Sequence, residues 1–269
     1  MPPINNKIAN FKKSSGIRTL NLYSHPQYYE IAFEFRDIER EVNFFEEALR
    51  KFSHTRGKRV LELASGTSPY LREWHRRGYQ YTGLDASHDM IHFVKTRARA
   101  EHIPAHVLHG DMNHFSFRGT RFDAVYVLLG SLYSTSNDEF LRHMDSVSRS
   151  LKKGGLYLLD GVVWFNLLRD NKQSWTISRD GIRIRASFRA RLHDPVQQTF
   201  FEELVLNVND RGVRKRLESN ILHKFFFPQE FRSLVACHGE FEFIGWFDNF
   251  DLRKPATPNG RQIVILRKR

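Results

Sequence analysis

The sequence predicts an α/β fold: a doubly wound, mostly parallel sheet with an antiparallel last strand, carrying a small inserted antiparallel sheet. Three observations predict it. From about residue 58 to residue 163, short apolar runs alternate with helical patterns, and such alternation implies parallel strands with helices on both faces. Residues 241–247 and 262–266 both read as strands. Too few residues separate them for a helical crossover, and those few include two prolines and Asn259-Gly260, so the two strands must pair antiparallel. Residues 182–224 alternate with a period of two and do not continue the parallel pattern.

Each element has a local reason. Residues 1–25 are read as a flexible arm, since 1–20 are polar and basic without a period. Over 26–52, Tyr28-Tyr29-Glu30-Ile31-Ala32-Phe33-Glu34-Phe35 leads into Ile38, Val42, Phe44, Phe45 and Leu49 at helical spacing, which predicts an amphipathic helix over the core preceded by an aromatic-rich segment. Strands are expected near 58–64, 80–85, 105–109, 122–128 and 155–163, and helices near 69–77, 88–101 and 137–151. Ser68 is the expected cap of the first of these helices, with Pro69 in its first turn and Gly78 as its stop. The last is expected to be capped by Ser136 or Asn137 and stopped by Gly154. Turns at Asp194-Pro195 and Asn209-Asp210-Arg211-Gly212 divide the inserted region, 172–224, into about three strands. A helix over 228–238 follows. The expected division is a core of 26–171 and 225–269 with 172–224 inserted.

Composition narrows the function classes. The 269 residues are 41% hydrophobic and 13% aromatic, which suits one large domain or a domain with an elaboration. No apolar run approaches the ~20 residues that cross a bilayer. Residues 1–6 lack the apolar core of a signal peptide, and a cytoplasmic protein is expected. A single cysteine, Cys237, excludes an intrachain disulfide and a cysteine-cluster zinc site; it is expected to be a buried helix residue. The net charge of +12 is scattered along the chain and reads first as solvated surface, with nucleic acid kept as an alternative partner. The thirteen histidines include no trusted pair-plus-carboxylate spacing, so no metal is expected.

The chemistry concentrates at strand tips. Val60-Leu61-Glu62-Leu63-Ala64-Ser65-Gly66 is a strand ending in a small-residue turn, followed by Thr67-Ser68-Pro69 and a helix. Such a junction lets a ligand touch backbone N–H groups. The second strand ends on Asp85, where an acid can hold a ribose diol.

These residues resemble the class I S-adenosylmethionine-dependent methyltransferases. The family's first motif, Glu/Asp-x-Gly-x-Gly-x-Gly, stands here as Glu62-Leu63-Ala64-Ser65-Gly66-Thr67-Ser68, keeping the central glycine. Further matches are Leu84-Asp85-Ala86-Ser87 with Met90, His109-Gly110-Asp111-Met112, and Phe122-Asp123-Ala124-Val125 followed by Leu151-Lys152-Lys153-Gly154-Gly155. The resemblance covers about residues 56–165. It implies a Rossmann-like, seven-stranded sheet, S-adenosyl-L-methionine as cofactor and methyl transfer by in-line displacement. It places Arg36, Glu62, Ala64, Ser65, Gly66, Asp85, Ala86, Met90, Gly110, Asp111, Met112 and Leu128 around that cofactor. Turn or cap roles for Asp85 and Asp111, and a core role for Met90, stay open as alternatives.

The tip after the fourth strand, Gly130-Ser131-Leu132-Tyr133, lacks the Asn/Asp-Pro-Pro-aromatic pattern of enzymes that modify amide or base-edge nitrogens. No cysteine stands there for a cytosine-C5 mechanism. The layout is closer to small-molecule N-methyltransferases of the deoxysugar and glycine type. That likeness implies Tyr29 and Tyr133 as catalytic candidates and Phe33, Ser131 and Trp164 on the acceptor side, with plain core packing as the alternative for each aromatic. The inserted sheet is read as a roof over the acceptor or as a homodimer contact. The expected function is methyl transfer to an amine or hydroxyl of a small molecule. The alternatives are an RNA or protein methyltransferase and a non-catalytic cofactor-binding protein.

Overall fold

The structure is a computed structural model and describes residues 19–165 and 172–269. The chain opens with β1 (Thr19–Asn21), a 3-10 turn at Leu22–Ser24, α1 (Pro26–Ala32) and α2 (Ile38–Phe52). There follow β2 (Arg59–Leu63), α3 (Leu71–Arg76), β3 (Gln80–Asp85), α4 (His88–Ala100), β4 (His106–His109) and β5 (Phe122–Val127). Next come α5 (Asn137–Ser150), β6 (Leu151–Asp160), β7 (Lys172–Arg179), β8 (Ile182–Asp194), β9 (Thr199–Asp210) and β10 (Val213–Lys224). The described chain closes with α6 (Pro228–His238), β11 (Phe241–Asp248), β12 (Asp251–Pro255) and β13 (Gln262–Lys268).

The main sheet runs in the order β12-β11-β13-β6-β5-β2-β3-β4. Strands β4, β3, β2, β5 and β6 are parallel, and β13 lies antiparallel between β6 and β11. The parallel core and antiparallel last strand are as expected, but the sheet has eight strands rather than seven. The extra strand is β12. Asn249 and Phe250 both take positive φ, 51° and 53°, and fold the chain back on β11.

The second sheet runs β1-β10-β9-β8-β7. It has four long antiparallel strands where about three were expected, and β1 joins β10 in parallel. The expected arm over 1–25 therefore contains a strand, a turn and the cap of α1; residues 1–18 lie outside the described residues.

Several local readings differ from expectation. The aromatic-rich segment expected ahead of the amphipathic helix contains a helix of its own, and Asp37, accepting from Arg40 N at 3.0 Å, caps the fresh start of the second. Helix α1 packs on the second sheet, whereas α2 packs on the main one. Ser68 does not cap α3: its φ is 48°, inside the preceding turn, and the helix begins at Leu71 without a side-chain cap. Gly154 does not stop α5, which ends at Ser150; Gly154 lies within β6, with φ 79°, and its carbonyl accepts from His54 N at 2.9 Å. Ser136 does cap α5, accepting from Glu139 N at 3.2 Å. Cys237 is exposed on α6, not buried. Among the described residues, no helix is long and apolar enough to cross a membrane.

The parallel strands are mostly apolar and buried because helices cover both faces. One polar residue inside them is structural. Asp123 on β5 is fully buried and accepts from Gly57 N, Arg59 N and Lys152 Nζ at 3.1, 3.0 and 2.8 Å, which pins the linker that leads into β2.

Candidate active site

The turn after β2 alternates its backbone handedness. Ala64, Gly66 and Ser68 have φ of 51°, 51° and 48°. A turn with positive φ at every second residue can direct backbone N–H groups toward one hollow, a surface suited to an anion or a polar ligand. Gly66 N donates to Asp85 Oδ2 at 2.7 Å, and Ser87 N donates to Asp85 Oδ1 at 2.8 Å. Asp85 thereby ties the tips of β2 and β3 together. Burial pushes its carboxyl up from the ordinary value, against these two hydrogen bonds. Arg97 of α4 donates to Thr67 O at 2.6 Å and pairs with Glu30 of α1, so the turn is held from outside as well.

Glu62 stands beneath the turn. It is buried, and burial pushes its carboxyl up to about 8. Its Oε2 accepts from the phenols of Tyr81 and Tyr126 rather than from the turn backbone.

A chain of charges closes the other side. Arg36 pairs with Glu41 at 2.7 Å, Arg261 pairs with Glu41 at 3.3 Å, and Arg261 pairs with Asp160 at 2.6 Å. Asp160 accepts from Leu129 N at 2.9 Å, and its carbonyl accepts from Gly130 N at 2.9 Å. Leu129 and Gly130 both take positive φ, 57° and 69°. The loop after β5 is therefore locked in an uncommon conformation by the end of β6.

Two cavities result. The first, about 470 Å³, is lined by the 64–69 turn with Glu62, Arg36, Leu128 and Leu129. The second, about 1000 Å³, lies between the loop after β5, residues 160–165 and the inner face of the second sheet. Tyr29, Phe33, Leu129 and Ser131 line both, so the cavities meet there. Tyr29 on α1 and Phe33 just after it lie side by side with tilted rings, centroids 4.7 Å apart. The phenols of Tyr29 and Tyr133 are pushed up strongly by burial. At neutral pH both are hydrogen-bond donors and aromatic walls, not bases.

The candidate residues from the sequence divide accordingly. Arg36, Glu62, Ala64, Ser65, Gly66 and Leu128 line the first cavity; Tyr133 and Trp164 line the second; Tyr29, Phe33 and Ser131 line both. Six residues line neither. Asp85 reaches the first cavity only through its bond to Gly66. Ala86 is exposed and Met90 is buried. Gly110 N donates to Asp85 O at 3.0 Å. Asp111 is exposed and accepts from Asn113 N at 2.8 Å, the turn role left open for it. Met112 packs against the core. Tyr23 stands close to this side: Ser87 Oγ donates to Tyr23 O at 3.3 Å.

Sequence reasoning missed Glu202 and Trp175 in the second cavity and set His223 aside. Their signal was weak, since a period-two strand shows which residues share a face but not what that face covers. It also missed Asp160 and Arg261, which meet only through the pairing of β6 with β13.

Residues 60–155 match the family described as methyltransferase domain. YqeM of Bacillus subtilis (strain 168) is 31% identical over 103 residues, 38% of this chain and 41% of that protein. The matched regions span 41% and 48% of the lengths of the two curated relatives. Among solved structures, an S-adenosylmethionine-dependent methyltransferase from Clostridium acetobutylicum ATCC 824 superposes with TM-score 0.73 at 17% identity, covering 90% of this chain and 96% of that one. CalS10, an amino pentose methyltransferase from Micromonospora echinaspora solved with S-adenosylmethionine bound, gives 0.70 at 18%, covering 90% and 97%. The sugar N-methyltransferase KedS8 from a Streptoalloteichus species gives 0.70 at 18%, covering 97% and 99%. The parallel sheet with its antiparallel last strand, the turn after β2 and these likenesses agree: the chain has the fold of these methyltransferases, and residues 60–155 match the methyltransferase-domain family.

Proposed function

We propose that this chain is an S-adenosylmethionine-dependent methyltransferase acting on an amine or hydroxyl of a small molecule. The observation that carries this reading is the meeting of two cavities at Tyr29, Phe33 and Ser131, one against the β2 turn and one under the second sheet. Methyl transfer needs two ligands end to end with water kept out.

The residues of the first cavity suit the cofactor. Ser65 Oγ and Ser68 Oγ are buried without hydrogen-bond partners beside it. A Cβ on Gly66 would meet the Tyr29 ring at 3.9 Å, an ordinary contact, so the positive φ of 51° is what favours glycine here. The cofactor supplies an electrophilic methyl group on a sulfonium. The 64–68 turn, Glu62 and Arg36 would hold its amino-acid portion and Asp85 its ribose. Ala86, Met90, Gly110, Asp111 and Met112 stand on the adenine side in this reading. Tyr29, Phe33 and Tyr133 would orient the acceptor and exclude water. CalS10 and KedS8, described as an amino pentose and a sugar N-methyltransferase, support a small-molecule acceptor.

Calorimetry with S-adenosylhomocysteine tests this. The wild type should bind it, and Asp85→Ala should weaken binding by about 1–3 kcal/mol, the scale of a lost charged hydrogen bond. Unchanged affinity in a folded Asp85→Ala protein would remove the cofactor assignment.

A second reading rests on the outer face of the second sheet, where Arg183, Arg185 and Arg189 of β8 and Arg214 of β10 are exposed. An RNA substrate would use that face, and RNA affinity would then fall steeply with salt.

A further inference from the structure

We propose that Glu202 and His223, on neighbouring strands of the second sheet, form the recognition site for a protonated amine on the acceptor. The inference rests on the second cavity being the acceptor site, and it adds a residue pair and a chemical class to that reading.

Strands β9 and β10 pair antiparallel with Phe200 opposite His223 and Glu202 opposite Ile221. Side chains alternate along a strand, so Phe200, Glu202 and Leu204 share one face. All three line the cavity, and so does His223. Glu202 and His223 are thus diagonal neighbours, with His223 Nε2 3.5 Å from Glu202 Oε2. His223 is 4% exposed, and its Nε2 has no hydrogen-bond partner. Glu202 pairs with His223, a group that carries charge only when protonated. A buried polar atom without a partner costs free energy, and so does a carboxylate held in apolar surroundings without a cation.

The surroundings are aromatic. The His223 ring lies 4.0 Å from Phe200 and 5.3 Å from Tyr133, and Trp164 lies 4.8 Å from Phe200. Such faces attract cations, and Glu202 is the carboxylate beside them. After burial, the charge of Glu202 is the next largest influence raising the phenol of Tyr23, which lines the same cavity.

The two atoms are close enough for one ligand group to meet both. An ammonium donates one N–H to Glu202 Oε2 and another to His223 Nε2, satisfying both atoms at once and neutralising the carboxylate. A hydroxyl has one hydrogen to donate and no charge.

The test uses the full chain and two matched probes, benzylamine and benzyl alcohol, which differ in charge and donor count. Trp164 and Trp175 line the cavity, so quenching of their fluorescence reports binding. The wild type should bind benzylamine about tenfold or more tightly than benzyl alcohol. Glu202→Gln should erase that preference, and His223→Asn should reduce it. Both variants should keep the wild-type affinity for S-adenosylhomocysteine, measured by calorimetry. Equal wild-type affinity for the two probes, no binding of either, or a preference that survives Glu202→Gln would overturn the proposal. Loss of S-adenosylhomocysteine binding by the wild type would instead count against the methyltransferase reading, and the amine preference would stand or fall separately.

Discussion

Ala64 holds a left-handed backbone, φ 51°, at a position where a Cβ crowds the following carbonyl. Ser68 does the same at φ 48°. Both stand where the family motif has glycine, and their dihedrals explain that glycine: the turn demands the conformation whichever residue supplies it. Ala64→Gly should therefore stabilise the protein, by up to about 1 kcal/mol after the added freedom of the unfolded chain is subtracted. Urea denaturation checks this, and a destabilised variant would mean the Ala64 methyl packs usefully against the pocket. Glu62 makes a second prediction at this scale. Its folded carboxyl titrates at about 8, above the ordinary carboxylate value of 4.5, because burial disfavours the charge. The folded state thus holds this proton longer than the unfolded state does. The contribution is fully present below the ordinary value and is lost as pH rises toward 8. Thermal stability should decline between about pH 5 and pH 8, and Glu62→Gln, which keeps the neutral shape, should flatten that decline.

Among the elements, the junction of β6, β13 and the loop after β5 depends on one side chain. Arg261 precedes β13 and binds both Asp160, at the end of β6, and Glu41 on α2. Both carboxylates are almost fully buried. Removing the guanidinium would leave Asp160 without its partner while it still fixes Leu129 N. Arg261→Met should cost on the order of 3 kcal/mol, the scale of breaking a buried ion pair. Differential denaturation of wild type and variant measures it, and a near-zero change would show that Arg36 and solvent take over the charge. None of this network was legible in the sequence, since its members come from residues 36, 41, 160 and 261. What was legible had local causes. The apolar strands alternating with helices, and the strand tips Glu62 and Asp85, carry their own periodicity and spacing. Misreadings arose where tertiary context overrode a local signal. The Ser68-Pro69 pair resembles a helix start, but the turn needs Ser68 in left-handed form. The hairpin between β11 and β12 turns on Asn249-Phe250 without glycine, so its usual signature is absent. The aromatics at 28–35 read as the lead-in to one helix, yet Asp37 restarts the chain and sends the two halves to different sheets.

At the scale of the whole molecule, α1 is the part that joins the two sheets around the site. Its buried side, Tyr28, Ile31 and Ala32, packs with Leu22 against Ile184, Leu204, Leu206 and Leu217 of the second sheet. Trp175 Nε1 donates to Ala32 O at 2.7 Å, and Tyr28 OH donates to Asp210 Oδ2 at 2.8 Å. The same helix, on its other side, presents Tyr29 to both cavities, with Phe33 following at its end. Packing beneath α1 and the shape of the site are therefore coupled through about one turn of helix. Ile31→Ala should cost about 2–4 kcal/mol, as large-to-small changes at buried positions do. It should also loosen Tyr29 and weaken binding in both cavities. Val42→Ala provides the comparison, because Val42 is equally buried but lies on α2 against the main sheet, away from the junction. Removing its two methyl groups should destabilise by roughly 1–2 kcal/mol, at ~0.8 kcal/mol per methyl plus a cavity term, with little change in ligand affinity. Urea denaturation, S-adenosylhomocysteine calorimetry and tryptophan quenching by benzylamine on the two variants separate the effects. If both lose stability and affinity in the same proportion, the site depends on global stability alone. If only Ile31→Ala loses affinity, the N-terminal helix sets the geometry of the two cavities.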